Sequence, residues 1–303
     1  MDEHFRDLLR ALLEKDPDAA LEDNDRQAVM YAMLALHPSE HIAAIWRFGQ
    51  SIADEFKRSY LFNHLVRHSA QCLEFDLAEG IARSIPTPYW RFAALNKVAA
   101  ELLRRDGEFG SIGARNSGFH ERALRLLREI EQSLSLIPDD DDDRATLLWG
   151  IGLSLVNAGK LEWAEDLAST ANYCPENTEV LLRCAKTRAS RDQTHHAVRL
   201  ARTVGRLAST GTGQLTNRAF DLEDAAELIF DSGGKEEARR LLEEAARFAL
   251  ASQAQDIDGC KCVGAIAIAF AKQGHIDLAQ ETANMITQPA RREYALQKVA
   301  EHS

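Results

Sequence analysis

The sequence predicts an all-α protein, a solenoid of antiparallel helical hairpins, and three observations carry that expectation. The first is a stretch that returns. "GKLEWAEDLA" at 159–168 comes back as "GHIDLAQETA" at 274–283, each with a Gly followed five positions on by an Ala and by a second Ala four beyond that. The second is composition: Ala, Leu, Glu and Arg dominate, and 303 residues hold only 7 prolines and 17 glycines, a mixture that favours helix throughout. The third is a stripe of small residues, flanked by larger apolar ones at helical spacing, that recurs along the chain.

Taking the first Ala of the returning stretch as an anchor, amphipathic helix starts align at Ala78, Ala123, Ala164, Ala197, Ala238 and Ala279, with gaps of 45, 41, 33, 41 and 41 residues. Five positions before the anchor stand Gly118, Gly159, Gly233 and Gly274, or Leu73 and Asp192 in their place. A Gly there takes a positive φ, ends one helix and lets the next begin at once. The helices before these junctions align too. Val66, Ala99, Gly152, Ala185, Ala226 and Ala267 form the small stripe, with Ala99 chosen because an insertion separates the two helices of the second hairpin. Four residues earlier stand Phe62, Leu95, Leu148, Leu181, Leu222 and Val263, and one residue earlier Leu65, Val98, Ile151, Cys184, Ala225 and Ile266. Small residues at helix crossings let neighbouring helices pack closely. "RFAALNKVA" (91–99) and "REYALQKVA" (292–300) agree at six of nine positions and lie 201 residues apart, near five 41-residue periods.

In chain order, residues 1–57 read as a helical N-terminal cap or degenerate repeat: "HFRDLLRALLEKD" is amphipathic, "DRQAVMYAMLAL" and "HIAAIWRFGQSIADEF" suit a first hairpin, and Pro38 followed by Ser39 marks a helix start. Residues 58–288 hold about six hairpins, and 289–303 a C-terminal capping helix, of which Arg291–His302 is a first-type helix with no partner after it. No linker divides the chain, so one domain is expected. Two segments break the period, "RDGEFGSIGARNSGF" at 105–119 and "STGTGQLTN" at 209–217, and both read as loops. The run "DDDDD" at 139–143 reads as a solvated acidic turn whose last member caps the following helix and whose charges favour the helix N-terminus.

At these residues the chain resembles the tetratricopeptide repeat. In "LWGIGLSLVNAGKLEWAEDLA", Leu148, Ile151, Gly152, Leu155, Gly159, Ala164 and Ala168 match that family's register; in "VGAIAIAFAKQGHIDLAQETA", so do Val263, Ile266, Ala267, Phe270, Gly274, Ala279 and Ala283. The resemblance covers about residues 58–300. Its period is mostly 41 rather than 34, the Phe four after the anchor is usually Ala, and the terminal Pro is absent or shifted to Pro175 or Pro289. It implies a right-handed α-solenoid, and a groove lined by the first helix of each hairpin that receives a peptide or a partner's helix. Carried over by register from the small residue, the groove positions are Asn63 and Arg67, Asn96 and Ala100, Trp149 and Leu153, Leu182 and Lys186, Glu223 and Glu227, and Gly264 and Ile268, with Arg104 one turn beyond Ala100. The partner-binding set is then Asn63, Arg67, Asn96, Arg104, Trp149, Lys186, Glu223 and Glu227: amides and cations first, an aromatic in the middle, carboxylates last. Asn and Arg on adjacent helices grip a peptide backbone or a carboxylate, and Trp149 is either an anchor or a core residue.

Charge and motif inventory narrow the rest. Lys and Arg number 36 against 47 Asp and Glu, a formal charge of −11 that repels phosphate backbones in the absence of a local basic face, so no nucleic acid is expected. No run of 18 apolar residues exists, and "MDEHFRDLLRALLEKD" lacks the apolar core of a signal peptide, so no membrane partner is expected either. Five cysteines without framework spacing suit a reducing, cytoplasmic compartment. His64 and His68 in "HLVRH" have zinc spacing but Leu65 where a metalloprotease needs Glu, and no third ligand nearby, so a structural role is expected. Cys262 reads as core, and His195 and His196 as first-turn surface residues. No phosphate loop, nucleophile elbow or dinucleotide fingerprint is present. The expectation is therefore a cytoplasmic, non-enzymatic scaffold or adaptor that binds a protein or peptide partner, with no cofactor and no metal; the sequence assigns no oligomeric state. Its alternatives are a regulatory or immunity-type protein whose acidic surface masks a basic partner, and an enzyme or metal-binding repeat protein built around His64 and His68.

Overall fold

The computed structural model describes residues 38–110, 117–138, 142–169, 174–253 and 257–302. The expected helices at 4–16 and 25–36 lie outside them. Every regular element among the described residues is helical, and contacts divide the chain into two compact units, Met1–Ala158 and Gly159–Ser303.

In the N-terminal unit, α1 (Pro38–Gly49) starts at the expected Pro38 and packs on α2 (Glu55–Gln71). The carboxylate of Asp54 caps α2 by accepting the Lys57 N–H at 3.0 Å. Then come α3 (Phe75–Arg83), α4 (Pro88–Gly110), α5 (Ser117–Ser133), a 3-10 turn at Leu134–Leu136, and α6 (Asp142–Asn157). The first helices α2, α4 and α6 lie side by side, α2 on α4 and α4 on α6, while α3 and α5 pack behind their own hairpin partners. In the C-terminal unit the order is α7 (Leu161–Ser169), α8 (Pro175–Ala189), α9 (Thr194–Thr210), α10 (Leu215–Asp231), α11 (Lys235–Ser252), α12 (Ile257–Lys272), α13 (Ile276–Asn284) and α14 (Pro289–Ala300). Here too the first helices adjoin: α8 meets α10, α10 meets α12, and α12 meets α14, the expected C-terminal helix.

The junctions show why the period survives without a constant residue. Leu73, Gly159, Asp192, Gly233 and Gly274 all take φ between 61° and 91°. At four of them the same two bonds close the helix: Leu73 N–H to Ala70 O and Glu74 N–H to Ser69 O, then Asp192 to Ala189 and Gln193 to Arg188, Gly233 to Phe230 and Gly234 to Ile229, Gly274 to Ala271 and His275 to Phe270. The anchor N–H then makes the first bond of the next helix, Ala78 to Glu74 O and Ala279 to His275 O, each at 2.9 Å. Leu73 has no glycine's freedom, and its left-handed backbone costs roughly 1–2 kcal/mol that the surrounding packing offsets.

All six anchor alanines are at most 1 % exposed, and every residue of the three apolar registers is buried. Three expectations change. Gly118 does not end a helix but lies in the first turn of α5. The segment 105–119 is largely helical, because α4 continues to Gly110 and α5 begins at Ser117; the residues between lie outside the described ones. The segment 209–217 shrinks to residues 211–214, since α9 runs to Thr210 and α10 starts at Leu215. In both places the preceding helix runs on into residues that are polar and at least partly exposed among the described ones. Similarly, α6 starts at Asp142, which puts Asp143 inside the first turn rather than at the cap.

One recurrent position went unread in the sequence. Eight residues before the small residue stand Arg58, Arg144 and Arg218, and each guanidinium returns to carbonyls that close the preceding segment. Arg58 Nη1 donates to Ile52 O at 2.7 Å, Arg144 Nη1 to Ile137 O at 2.9 Å, and Arg218 to Ala208 O and Ser209 O at 2.6 and 2.7 Å. Helix ends leave carbonyls without partners, and a fixed five-donor fork suits them.

Candidate partner-binding faces

In the N-terminal unit the expected residues fall along the seam between α2 and α4. Asn63 is buried, 3 % exposed, and its Oδ1 has no hydrogen-bond partner. Arg67, one turn on, is exposed and makes no ion pair among the described residues. Across the seam stands Lys97, also without an ion pair; burial and then the Arg67 charge hold its ammonium below the usual lysine value. His64 is pushed below the usual imidazole value by burial, then by Lys97, His68 and Arg67, and His68 by burial and Arg67. These shifts have one geometric meaning: four cationic or protonatable groups crowd one patch. The nearby carboxylate, Glu101, is held by Arg104 and Arg105, with Arg105 Nε at 2.9 Å.

Beyond the cations the same seam carries rings. Phe56 and Tyr60 on α2 meet Trp90 on α4 edge to face at 5.9 and 5.6 Å, and Tyr89 and His64 extend the row. Phe56 is 64 % exposed and Tyr60 37 %. Asn96 is engaged differently. Its Oδ1 accepts from Ser154 Oγ at 3.0 Å, and its amide nitrogen lies where a Cβ on Gly150 would come within 2.7 Å, so it bridges α4 to α6. Arg104 is paired with Glu101 and Glu108, and Trp149 is half-buried on α6.

The C-terminal unit places Lys186, Glu223 and Glu227 on α8 and α10. Lys186 Nζ bonds Asp224 Oδ1 at 2.6 Å across the two helices. Burial, then Asp224 and Glu227, push the Glu223 carboxyl up to about 7, against the opposing pull of Lys272 and Lys186. A groove of about 640 Å³ runs between α8 and α10, floored by Leu182 and Phe220 and edged by Lys186, Asp221 and Asp224. The buried Asp221 accepts from Thr178 Oγ1 at 2.8 Å.

Asn63, Arg67, Lys186 and Glu223, which register reasoning named, stand on these two faces together with Phe56, Tyr60, Trp90, Lys97 and Phe220, which it did not name. The missing signal was available: these residues lie two, six, nine or ten positions before the small residue, on turns that the expected pair of groove positions did not sample. Cys262 and the paired histidines fall where the sequence places them. Cys262 is fully buried in the packing stripe, and burial followed by the Glu223 charge pushes its thiol up to about 12. His195 and His196 are exposed in the first turn of α9. Among the described residues no group of three or more His, Cys, Asp or Glu could hold a metal ion, and no helix is long and apolar enough to cross a membrane.

No family model and no curated protein matches the chain. Solved structures are similar at low identity. A Podosopora anserina protein described as a kinesin light chain with nearly identical TPR-like repeats is 17 % identical at a TM-score of 0.40, over 72 % of this chain and 100 % of its own. A tetratricopeptide repeat protein from Parabacteroides merdae is 12 % identical at 0.35, over 92 % and 98 %. A protein from Thermococcus onnurineus is 13 % identical at 0.27, over 99 % and 96 %. The architecture is decided by the chain's own geometry, by left-handed residues at the same place in five junctions and first helices packed side by side within each unit. This is a tetratricopeptide-like helical repeat protein.

In this tetratricopeptide-like frame the second helices carry an ion-pair pattern of their own. Glu79 and Glu165, each directly after an anchor alanine, are both buried. Glu79 takes Arg83 at 2.7 Å and Arg122 at 2.5 Å; Glu165 takes Arg188 at 2.5 Å and Arg199 at 3.4 Å. Apart from the Glu79–Arg83 pair within α3, these pairs tie one hairpin to a neighbour, and they belong to the frame rather than to the exposed seams.

Proposed function

We propose that the protein is an interaction module, a scaffold or adaptor that holds an extended or helical segment of a partner protein along the exposed faces of its first helices. One observation carries this reading: the α2–α4 seam presents exposed rings, and cations with no ion pair among the described residues, beside a buried amide oxygen that lacks a donor. In a protein of net charge −11, a patch of cations with no ion pair among the described residues is a surface suited to a ligand. The alternative of an acidic surface masking a basic partner finds its support on α10, where Glu223, Asp224 and Glu227 cluster.

The test is selection of 12-residue peptides from an unbiased display library on the full chain, followed by hydrogen exchange with the selected peptides bound. Protection concentrated at 56–67 and 89–104, or at 179–190 and 217–227, is the expected outcome. Selected peptides that protect only α3, α5, α9 or α11, or a library that yields no binder, would overturn the reading.

A further inference from the structure

The outer face of α9 has a chemistry that no other described α-helix repeats. Its sequence, THHAVRLARTVGRLAST, holds three arginines, two histidines and no acidic residue, whereas each of the other described α-helices carries at least one carboxylate. His195, Arg199, Arg202 and Arg206 follow one another at intervals of four, three and four residues, the spacing that keeps side chains on one face of a helix. All four are exposed, and with Val198 and Thr203 they line an open hollow of about 360 Å³. At a rise of about 1.5 Å per residue the row is roughly 16 Å long.

Two of these cations are partly engaged. Arg202 gives Nε and Nη2 to Glu237 on α11 at 2.9 and 2.7 Å, and Arg199 gives Nη2 to Glu165 on α7 at 3.4 Å. A guanidinium has five N–H donors, so each head keeps donors that these bonds do not use and is already partly held in place. The two side chains remain 60 % and 58 % exposed, Arg199 and Arg202 respectively. Glu165 is taken more closely by the buried Arg188, at 2.5 Å. Arg206 and His195 make no ion pair among the described residues.

We infer that this face is a separate docking surface, which takes an acidic α-helix of a partner protein whose carboxylates recur at the same intervals of four, three and four residues. A helix laid along α9 repeats its side chains in the same unequal steps of about 6, 4.5 and 6 Å, so a carboxylate meets each cation in turn. An extended peptide sets same-face side chains at even steps of roughly 7 Å and falls out of register along the row. Val198 gives the partner helix one apolar seat beside the charges. Single-stranded nucleic acid finds no aromatic ring on this row besides His195, and its continuous charge is opposed by the net charge of −11; it is an outcome of the test.

The probe is a pair of blocked peptides of about 18 residues, held helical by a side-chain lactam because helices of that length are marginal in water. Both contain four glutamates in an alanine and glutamine background. One sets them in a four, three, four row, and the other spreads them around the helix. Affinities for the full chain are read by fluorescence anisotropy at low and moderate salt. The row peptide is expected to bind about tenfold more tightly than the spread one, to weaken with salt, and to lose about tenfold to the pair of changes Arg199→Gln, Arg206→Gln. Arg206→Lys, which keeps the charge, is expected to retain more affinity than Arg206→Gln. Arg206 has no ion pair to lose, so its single variants keep the fold, which circular dichroism checks.

Equal affinity for the two peptides overturns the inference, as does a row peptide whose binding ignores both arginine changes, or one that does not bind at low salt. A decauridylate that binds more tightly than the row peptide and displaces it overturns it too. The inference goes beyond the reading of the first helices and does not rest on it. Failure of the row peptide leaves that reading standing, because its own test is protection on the first helices.

Discussion

The seam between α2 and α4 and the face shared by α8 and α10 are built on the same registers and carry opposite chemistry. Each has a small residue at the crossing, apolar residues four before and one before it, and a partly open row beside them. In the first the row holds Arg67, Lys97, His64 and His68 beside three rings; in the second it holds Glu223, Asp224 and Glu227, with Lys186 already paired. Packing therefore constrains the stripe and leaves the row beside it open to variation. In such an architecture a ligand is specified at positions whose substitution leaves the hairpin intact.

The sharpest way to break this comparison is to disturb the frame, because the two units bury similar carboxylates with different consequences. Glu165 faces Arg188, whose side chain is only 5 % exposed and stands in the register filled by Ile229 and Phe270 one and two hairpins along. Without Glu165, Arg188 keeps Glu162 at 3.1 Å and Gln193 at 2.8 Å but loses its closest charge inside the protein. Glu79 faces more exposed guanidinia, and each has another acid: Arg83 keeps Glu129 at 2.9 Å and Arg122 keeps Asp76 at 2.6 Å. We expect Glu165→Ala to cost about 2–4 kcal/mol and Glu79→Ala about 1 kcal/mol. Urea midpoints read the difference; equal costs would mean that burial of the partner cation does not decide the penalty.

The next effect is a pH dependence of the C-terminal unit. Glu223 ordinarily titrates near 4.5 and is pushed up to about 7 in the folded protein. Between those values the folded state holds a proton that the unfolded chain has released, so stability falls as pH rises through this window and levels off above it. Glu223→Gln keeps the shape, removes the buried charge and flattens the slope, raising stability at pH 8 by on the order of 2 kcal/mol. A variant whose melting temperature tracks the wild type from pH 5 to pH 8 would show that Glu223 is solvated in the fold and does not set the slope.

These two cases mark how far a sequence of this kind can be read. Anchors, stripe and junctions were legible because each is a local rule repeated: a small residue where helices cross, a left-handed residue where one ends. Leu73 and Asp192 were legible only through the period, since neither residue type announces a positive φ. The loop expectations at 105–119 and 209–217 went astray because glycine and polar residues were weighed without the helices before them, which run on through Arg105–Gly110 and Ser209–Thr210. Of the expected partner-binding residues, Arg67 sits on an open patch, while Asn96 is spent on Ser154 and Arg104 on Glu101 and Glu108. Register places a residue on a face, but which neighbour claims its hydrogen bonds depends on the next helix. For Asn96 that neighbour is 58 residues away.

The smallest effect runs opposite to that of Glu223 and separates the two units most cleanly. His64 and His68 are held below the usual imidazole value by burial first, then by charge; Lys97 on α4 and Arg67 on α2 act on His64, and Arg67 on His68. The folded state therefore resists a proton that the unfolded chain accepts, and the N-terminal unit loses stability as pH falls below about 6.5, where the C-terminal unit still gains it. The double variant His64→Gln, His68→Gln should flatten the acid limb of unfolding for the N-terminal unit, followed by hydrogen exchange at 59–70. An acid limb that is the same in the double variant and the wild type would show that neither histidine resists protonation in the fold.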